Sequence, residues 1–356
     1  MARTSVQHKM KPTIIKNAYT TGGRKRLLIL ADCPLPQELI TSLGRRANST
    51  IDLRYIDTSR ETRRSVPYRH MSYLYLSLIG LRIYGRYDYL LFWQQFIGVY
   101  WGVMNRFFGS KQIVSGLLPL IITRRSGITG YLALRVFGAA LNNDNIHFAV
   151  CHSRNELLHY KALKNLTAVA GKIKYAPFGS VSLSKEVRTG GNYIFSGGTS
   201  NRDYATLIEA VRNLDVNLII ACKPEDINLR NLPSNVKVVF DAYGEAFDKL
   251  IAGSFLDVIP LKDTRISSGQ LCLLKAMSYG KPIVATAAAG VEDYIDETCA
   301  YLVPSASPSH MKMAISNAIM NRNEAIEKGA CGYKRFADKF NIETLGEKLG
   351  GLFHED

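Results

Sequence analysis

The sequence has no C-x-x-C pair and no cluster of cysteine with histidine; its six cysteines stand apart at 33, 151, 222, 272, 299 and 331. That scatter argues against a zinc site and a disulfide framework, and points to the reducing cytoplasm. No apolar run reaches the ~20 residues that a spanning helix needs. The first 26 residues, MARTSVQHKMKPTIIKNAYTTGGRKR, have no apolar stretch of the kind that a secretory signal carries. Residues 1–24 read as a loose basic tail. Low-complexity tracts and short-period repeats are absent as well.

Acidic residues are scarce in one half only. Residues 1–190 hold 28 Lys and Arg against 9 Asp and Glu, a net +19, whereas residues 191–356 hold 17 against 21, a net −4. Such asymmetry points the first half at a polyanion: an anionic membrane surface, a phosphate-bearing acceptor or a nucleic acid. A plain solvated basic face is the competing reading. The chain shows neither a nucleic-acid recognition module nor a basic-aromatic platform for single strands, so no nucleic-acid partner is expected.

What is there is globular: 356 residues, 47% apolar and 21% charged, enough for two domains. Short apolar runs at 25–32, 51–57, 87–93, within 111–123 and at 146–151 read as strands, with helical patterns at 36–46, 130–141 and 154–163. Residues 177–191, PFGSVSLSKEVRTGG, read as a linker. The alternation then restarts, with strands at 192–196, 216–222, 236–240, 256–260 and 282–286. Helices are expected at 202–213, 244–252, 269–279 and 308–320, and a last helical segment at 332–353. Strands alternating with helices make doubly wound parallel sheets. The expected domains are 25–178 and 190–335, with 336–356 a C-terminal helix returning toward the first.

Residues 68–109 are dense in Tyr, Phe, Trp and Leu, with Arg69, Arg82, Arg86 and Arg106 among them. Leu90, Leu91 and Phe92 are expected in a core strand. For the helical parts, 71–85 and 97–108, core packing and a place at a bilayer interface are both open.

The stretch 265–286, RISSGQLCLLKAMSYGKPIVAT, carries the chemistry. A strand ends at Pro260, a loop follows, and a helix begins at Gly269 with Ser267 and Ser268 as candidate N-caps. Free N–H groups at such a helix start can hold a diphosphate, and glycine lets the backbone come close. Alone, the pattern is equally an ordinary cap.

With GVEDYI and AYLVP following, GGTSNRDYATLIEA at 197–210 before it and KRFADKFNIETLGEKL closing, the stretch resembles the donor half of GT-B-fold glycosyltransferases. It is most similar to their large retaining nucleotide-sugar family (group 1, family 4-like). The match covers roughly 192–350; the first half resembles the family in architecture only. The resemblance implies an α/β GT-B fold, two doubly wound Rossmann-like domains facing across a cleft. It places Arg202 on the donor diphosphate, Ser268 and Gly269 in the loop whose amides meet the donor, and Gly290 and Asp293 in the turn after the next strand.

The chain departs from the family where two motif glutamates fall on Ser267 and Lys275, and where Gly197 and Gly198 replace an arginine. The second glutamate accepts from the donor ribose, which a lysine ammonium cannot do. Gln270 can donate and accept toward the sugar or ribose, and Lys275 is either solvated or paired with an anion.

Direct displacement needs a base near the acceptor hydroxyl. The candidates are Asp32 after the first strand and then His152 after the fifth, with Gln94 and Gln95 also at a strand end. The expected protein is a glycosyltransferase moving a sugar from a nucleotide-diphosphate sugar to a lipid-linked or glycan acceptor. It would act as a peripheral protein on the cytoplasmic face of the membrane, in exopolysaccharide or cell-surface polysaccharide synthesis. Arg45, Arg46, Arg63, Arg64, Arg124 and Arg125 would face anionic lipid. Neither a cofactor nor a metal is expected. The alternative is a non-catalytic GT-B-fold membrane partner of another transferase.

Overall fold

Residues 27–31 are apolar at every position and buried on both faces. Only a central parallel strand covered by helices on both sides allows that. In the computed structural model, which describes residues 13–15, 25–58, 66–109, 111–122, 127–184, 186–187 and 190–355, this strand is β2 (Lys25–Ala31). The chain divides into two units, one running through Cys151 with residues 157–176 and 346–356, the other comprising 152–156 and 177–345.

The first unit runs β1 (Thr13–Ile15), β2, α1 (Gln37–Arg46), β3 (Ser49–Tyr55), α2 (Val66–Ile83), β4 (Tyr89–Trp93), α3 (Gln95–Phe108), β5 (Val114–Leu117), α4 (Gly127–Leu141), β6 (Ile146–Cys151), α5 (Arg154–Ala162), whose first three residues belong to the second unit, and β7 (Ile173–Tyr175). Its sheet has the order β1-β3-β2-β4-β5-β6-β7, parallel throughout except for β1 on β3. The segment expected to be a loose tail therefore contributes a strand at 13–15; its other residues lie outside the described ones. Leu90, Leu91, Phe92 and Trp101 are fully buried, each stabilising the core by about 1.5–3 kcal/mol or more.

The second unit runs β8 (Tyr193–Gly197), α6 (Tyr204–Val211), β9 (Asn217–Cys222), β10 (Val236–Phe240), α7 (Glu245–Gly253), β11 (Leu256–Ile259), α8 (Gln270–Ser278), β12 (Ile283–Thr286), β13 (Tyr301–Val303), α9 (Pro308–Met320), α10 (Arg322–Lys339) and α11 (Ile342–Gly351). Its six strands are all parallel, in the order β10-β9-β8-β11-β12-β13. α11 begins in the second unit and ends in the first.

The expected single segment at 332–353 is two helices broken at Phe340–Asn341. Of the arginines expected to face lipid, Arg45 and Arg46 end α1 and are exposed, whereas Arg63, Arg64, Arg124 and Arg125 lie outside the described residues. Among the described residues no helix is long and apolar enough to cross a membrane.

Candidate active site

β8 and β11 are neighbours at the middle of the second sheet, and the loops leaving their carboxyl ends lie side by side. Arg202 and Leu261 form an antiparallel bridge between the two loops, and Asp203 N–H donates to Pro260 O at 3.1 Å. Asn201 fastens them further. Its Nδ2 donates to Asp263 O at 2.8 Å and to Ser268 Oγ at 2.9 Å, and its Oδ1 accepts from Asp263 N–H at 2.9 Å.

A cavity of about 350 Å³ opens over this junction. Gly198, Thr199, Ser200 and Arg202 line it from the β8 loop, and Ser267, Ser268, Gly269, Gln270, Leu271 and Cys272 from the start of α8. Six residues singled out in the sequence are thus brought together: Gly198, Arg202, Ser267, Ser268, Gly269 and Gln270.

Arg202 is buried and turned inward. Its Nε donates to Gly197 O at 3.0 Å, Nη1 to Ser200 O at 2.8 Å and Nη2 to Cys272 Sγ at 3.3 Å. The expected helix at 202–213 begins at Tyr204 instead, capped by Asp203, whose Oδ1 accepts from Thr206 N–H at 3.1 Å. Arg202 therefore precedes the helix rather than opening it. Gly198 has φ +115°, and a Cβ there would lie 2.6 Å from Arg202 Nη2. Only glycine lets the backbone lie across the guanidinium.

Ser267 and Ser268 are not the caps of α8. The N-cap is Gly269, at φ 90°, and no side chain caps the helix. Ser267 Oγ accepts from Gln270 Nε2 instead. The N–H groups of Gln270, Leu271 and Cys272, the first three residues of α8, consequently have no intrahelical partner and carry the positive end of the helix dipole.

Gly290 stands behind this turn rather than in the cavity: a Cβ there would meet Ser268 N at 2.7 Å. Asp293, expected at the donor, does not line the cavity. Its Oδ2 accepts from Arg154 N–H at 2.7 Å, at the start of α5.

Lys275 does not line the cavity either. Its ammonium bonds Asp248 of α7 and lies 5.4 Å from the centre of the Phe247 ring. The motif position that carries an acid elsewhere holds a neutralised cation here. Cys272 is missed by the sequence reading; burial pushes its thiol up while Arg202 pulls the other way. Beneath it lies Asp257, 1% exposed, with both carboxylate oxygens unpartnered. Burial pushes its carboxyl well above the usual range, against the pull of Arg202 and Lys281. No motif announces Asp257, because an apolar strand with one acid looks like a strand.

The two catalytic candidates lie in different units. Asp32 follows β2, and its Oδ2 accepts from Tyr73 OH at 3.2 Å. The same phenol accepts from Arg69 Nε at 3.2 Å and Gln94 Nε2 at 3.4 Å. Burial raises the Asp32 carboxyl, and the Tyr73 and Gln94 hydrogen bonds partly offset this. Gln94 caps α3, and Gln95 is buried and accepts from Ile121 N–H at 2.8 Å. His152 is buried. Its ring meets Phe178 edge-on at 4.7 Å and its carbonyl accepts from Tyr294 OH at 2.9 Å. Among the described residues no group of three or more His, Cys, Asp or Glu converges as a metal site would need.

A family model described as glycosyl transferases group 1 matches residues 192–321, from the start of β8 to the end of α9. Comparison with curated proteins gives no match. Among solved structures, sucrose-phosphate synthase from Thermosynechococcus elongatus is similar at TM-score 0.67 and 15% identity, over 93% of this chain and 98% of that one. HepE from Anabaena, solved in complex with UDP, is similar at 0.64 and 15% identity, over 91% and 98%. The lipopolysaccharide outer core galactosyltransferase WaaB is similar at 0.61 and 12% identity, over 92% and 99%. At such identities the likeness establishes the fold, GT-B.

Proposed function

From a second unit that matches a family model of group 1 glycosyl transferases and a chain with the GT-B fold, we propose that the protein is a glycosyltransferase, transferring from a nucleoside-diphosphate sugar seated between the β8 loop and α8. The observation that carries this is a single cavity where three unpaired backbone N–H groups and the Arg202 guanidinium converge. A departing nucleoside diphosphate gains negative charge as the glycosidic bond to it breaks. Fixed N–H donors and an inward guanidinium stabilise that charge without reorganising. We assign the neutralisation to these groups and not to a divalent cation or cofactor. HepE, of the same fold, is a UDP complex, which makes UDP the first nucleotide to try.

The acceptor we propose is a lipid-linked or glycan hydroxyl at the cytoplasmic face of a membrane, in the synthesis of a surface or exported polysaccharide. Support comes from the +19 of the first 190 residues. Asp32 is the group we assign to the acceptor hydroxyl. It stands at the carboxyl end of a central strand, where doubly wound sheets bind ligands, and a raised carboxyl is the better base.

Thermal shift with UDP, GDP and their sugars, followed by donor turnover, tests the reading. A nucleotide that binds the folded state must raise the melting point. If none does, the proposed donor site is overturned.

A further inference from the structure

We infer that the first unit lies on an anionic lipid bilayer through the outer face of its α2, α3 and α4 layer. This rests on the reading of the protein as peripheral to a membrane and adds the surface that makes the contact.

The connections β3 to β4, β4 to β5 and β5 to β6 all step in one direction across the sheet. Right-handed crossovers therefore put α2, α3 and α4 on the same side, and α3 packs between the other two. Their inner faces, with Tyr73, Leu76, Ile97, Trp101 and Phe137, belong to the core of the unit.

A surface helix over a sheet should turn polar residues outward; these do not. α2 exposes Met71, Leu74, Tyr75 and Leu78, spaced as one stripe. α4 does the same with Ile128, Tyr131, Leu132 and Val136. At the end of α3, Phe107 and Phe108 are 78% and 77% exposed. Contiguous apolar surface of this kind is uncommon on soluble monomers, and an apolar stripe on each of two helices flanking a third marks a contact surface.

The charge on this face has one sign. None of the three helices contains an aspartate or glutamate. Arg69 turns to Tyr73 on the inner side, and the helices carry Arg82, Arg106 and Arg135, with Arg86 in the turn after α2, none of which forms an ion pair among the described residues. Arg135 instead lies 5.8 Å from the centre of the Tyr131 ring. A second copy packed here about a two-fold axis would set arginine against arginine with no carboxylate to meet them. A bilayer suits both features: rings and aliphatic chains enter at headgroup depth while guanidinium groups meet lipid phosphate. No described helix can cross, so the layer lies in the interface plane.

The test is sedimentation with phosphatidylcholine vesicles, with and without phosphatidylglycerol, using the full chain. Wild type is expected to pellet with the anionic vesicles. Arg82→Gln/Arg135→Gln should weaken this by about five-fold per arginine, and Leu78→Glu/Leu132→Glu should abolish it. A Leu132→Trp variant should shift its emission to the blue on vesicles. Hydrogen-exchange protection of β4 and β6, in the same unit, should stay at the wild-type level in every variant and shows that each is folded.

If wild type pellets with neither vesicle, the peripheral reading falls and takes this surface with it. If wild type pellets and the helix variants pellet equally, or if Arg45→Gln/Arg46→Gln abolishes binding instead, this surface alone is wrong. A wild-type dimer that the Leu78→Glu/Leu132→Glu change splits would assign the face to a second copy and overturn the proposal.

Discussion

Arg202 has five N–H groups and gives three of them to Gly197, Ser200 and Cys272, so the fork is held in place and two remain for a ligand. Arg202→Lys keeps the charge and loses the fork. UDP affinity by calorimetry should fall about ten- to a hundred-fold, as for a lost charged hydrogen bond. Asp257 acts in the opposite sense. Its folded-state carboxyl is held well above the ordinary 3.8, so the folded protein keeps a proton that the unfolded chain releases. Its contribution is complete below the unfolded value and is lost as pH rises toward the folded one. Asp257→Asn should flatten that decline, seen as a smaller drop in melting temperature from acid to neutral pH. If the profile is unchanged, Asp257 is not the proton-linked group.

At the level of elements, α8 shows what can be read in advance and what cannot. The small-residue loop before an apolar helix, and the Gly-Lys-Pro turn after it, locate helix and strand to within a residue. Alternation of apolar runs likewise places most of the parallel strands. β7 and β13, three residues each, are too short for any period to register, and β1 exists through its pairing with β3. Within the site, the β8 loop and the start of α8 are legible because glycine and a helix start leave a pattern. Cys272, Asn201 and Asp257 are not, since their roles come from neighbours distant in sequence.

Lys275 is the clearest case. Its charge conflicts with the motif until Asp248 of α7 is seen beside it. Lys275→Glu should therefore destabilise the second unit, by about 1 kcal/mol, by setting two carboxylates together. The exchange Lys275→Glu/Asp248→Lys should recover the loss in a denaturant titration. If the single change is neutral, the pair contributes nothing to stability.

On the scale of the molecule, the first unit is closed by residues far from it in sequence. Phe353 packs tilted on Tyr89 at 4.8 Å and meets Phe148 edge-on at 5.1 Å, and Gly346 of α11 lies so close on α1 that a Cβ would overlap Ser42 Oγ. Phe353→Ala should cost about 3–5 kcal/mol, with hydrogen exchange rising in β4 and β6 while β8 to β12 stay protected. Equal loosening of both sheets would mean that the units share one stability.

That closure sets an order of events on the ribosome. The half synthesised first must wait, its Tyr89 and Phe148 rings lacking their cover, until residues 346–356 emerge, whereas the other half has its whole chain by residue 345. The earlier-translated half is thus the later to mature, and over that interval its apolar surface is the one that chaperones would meet.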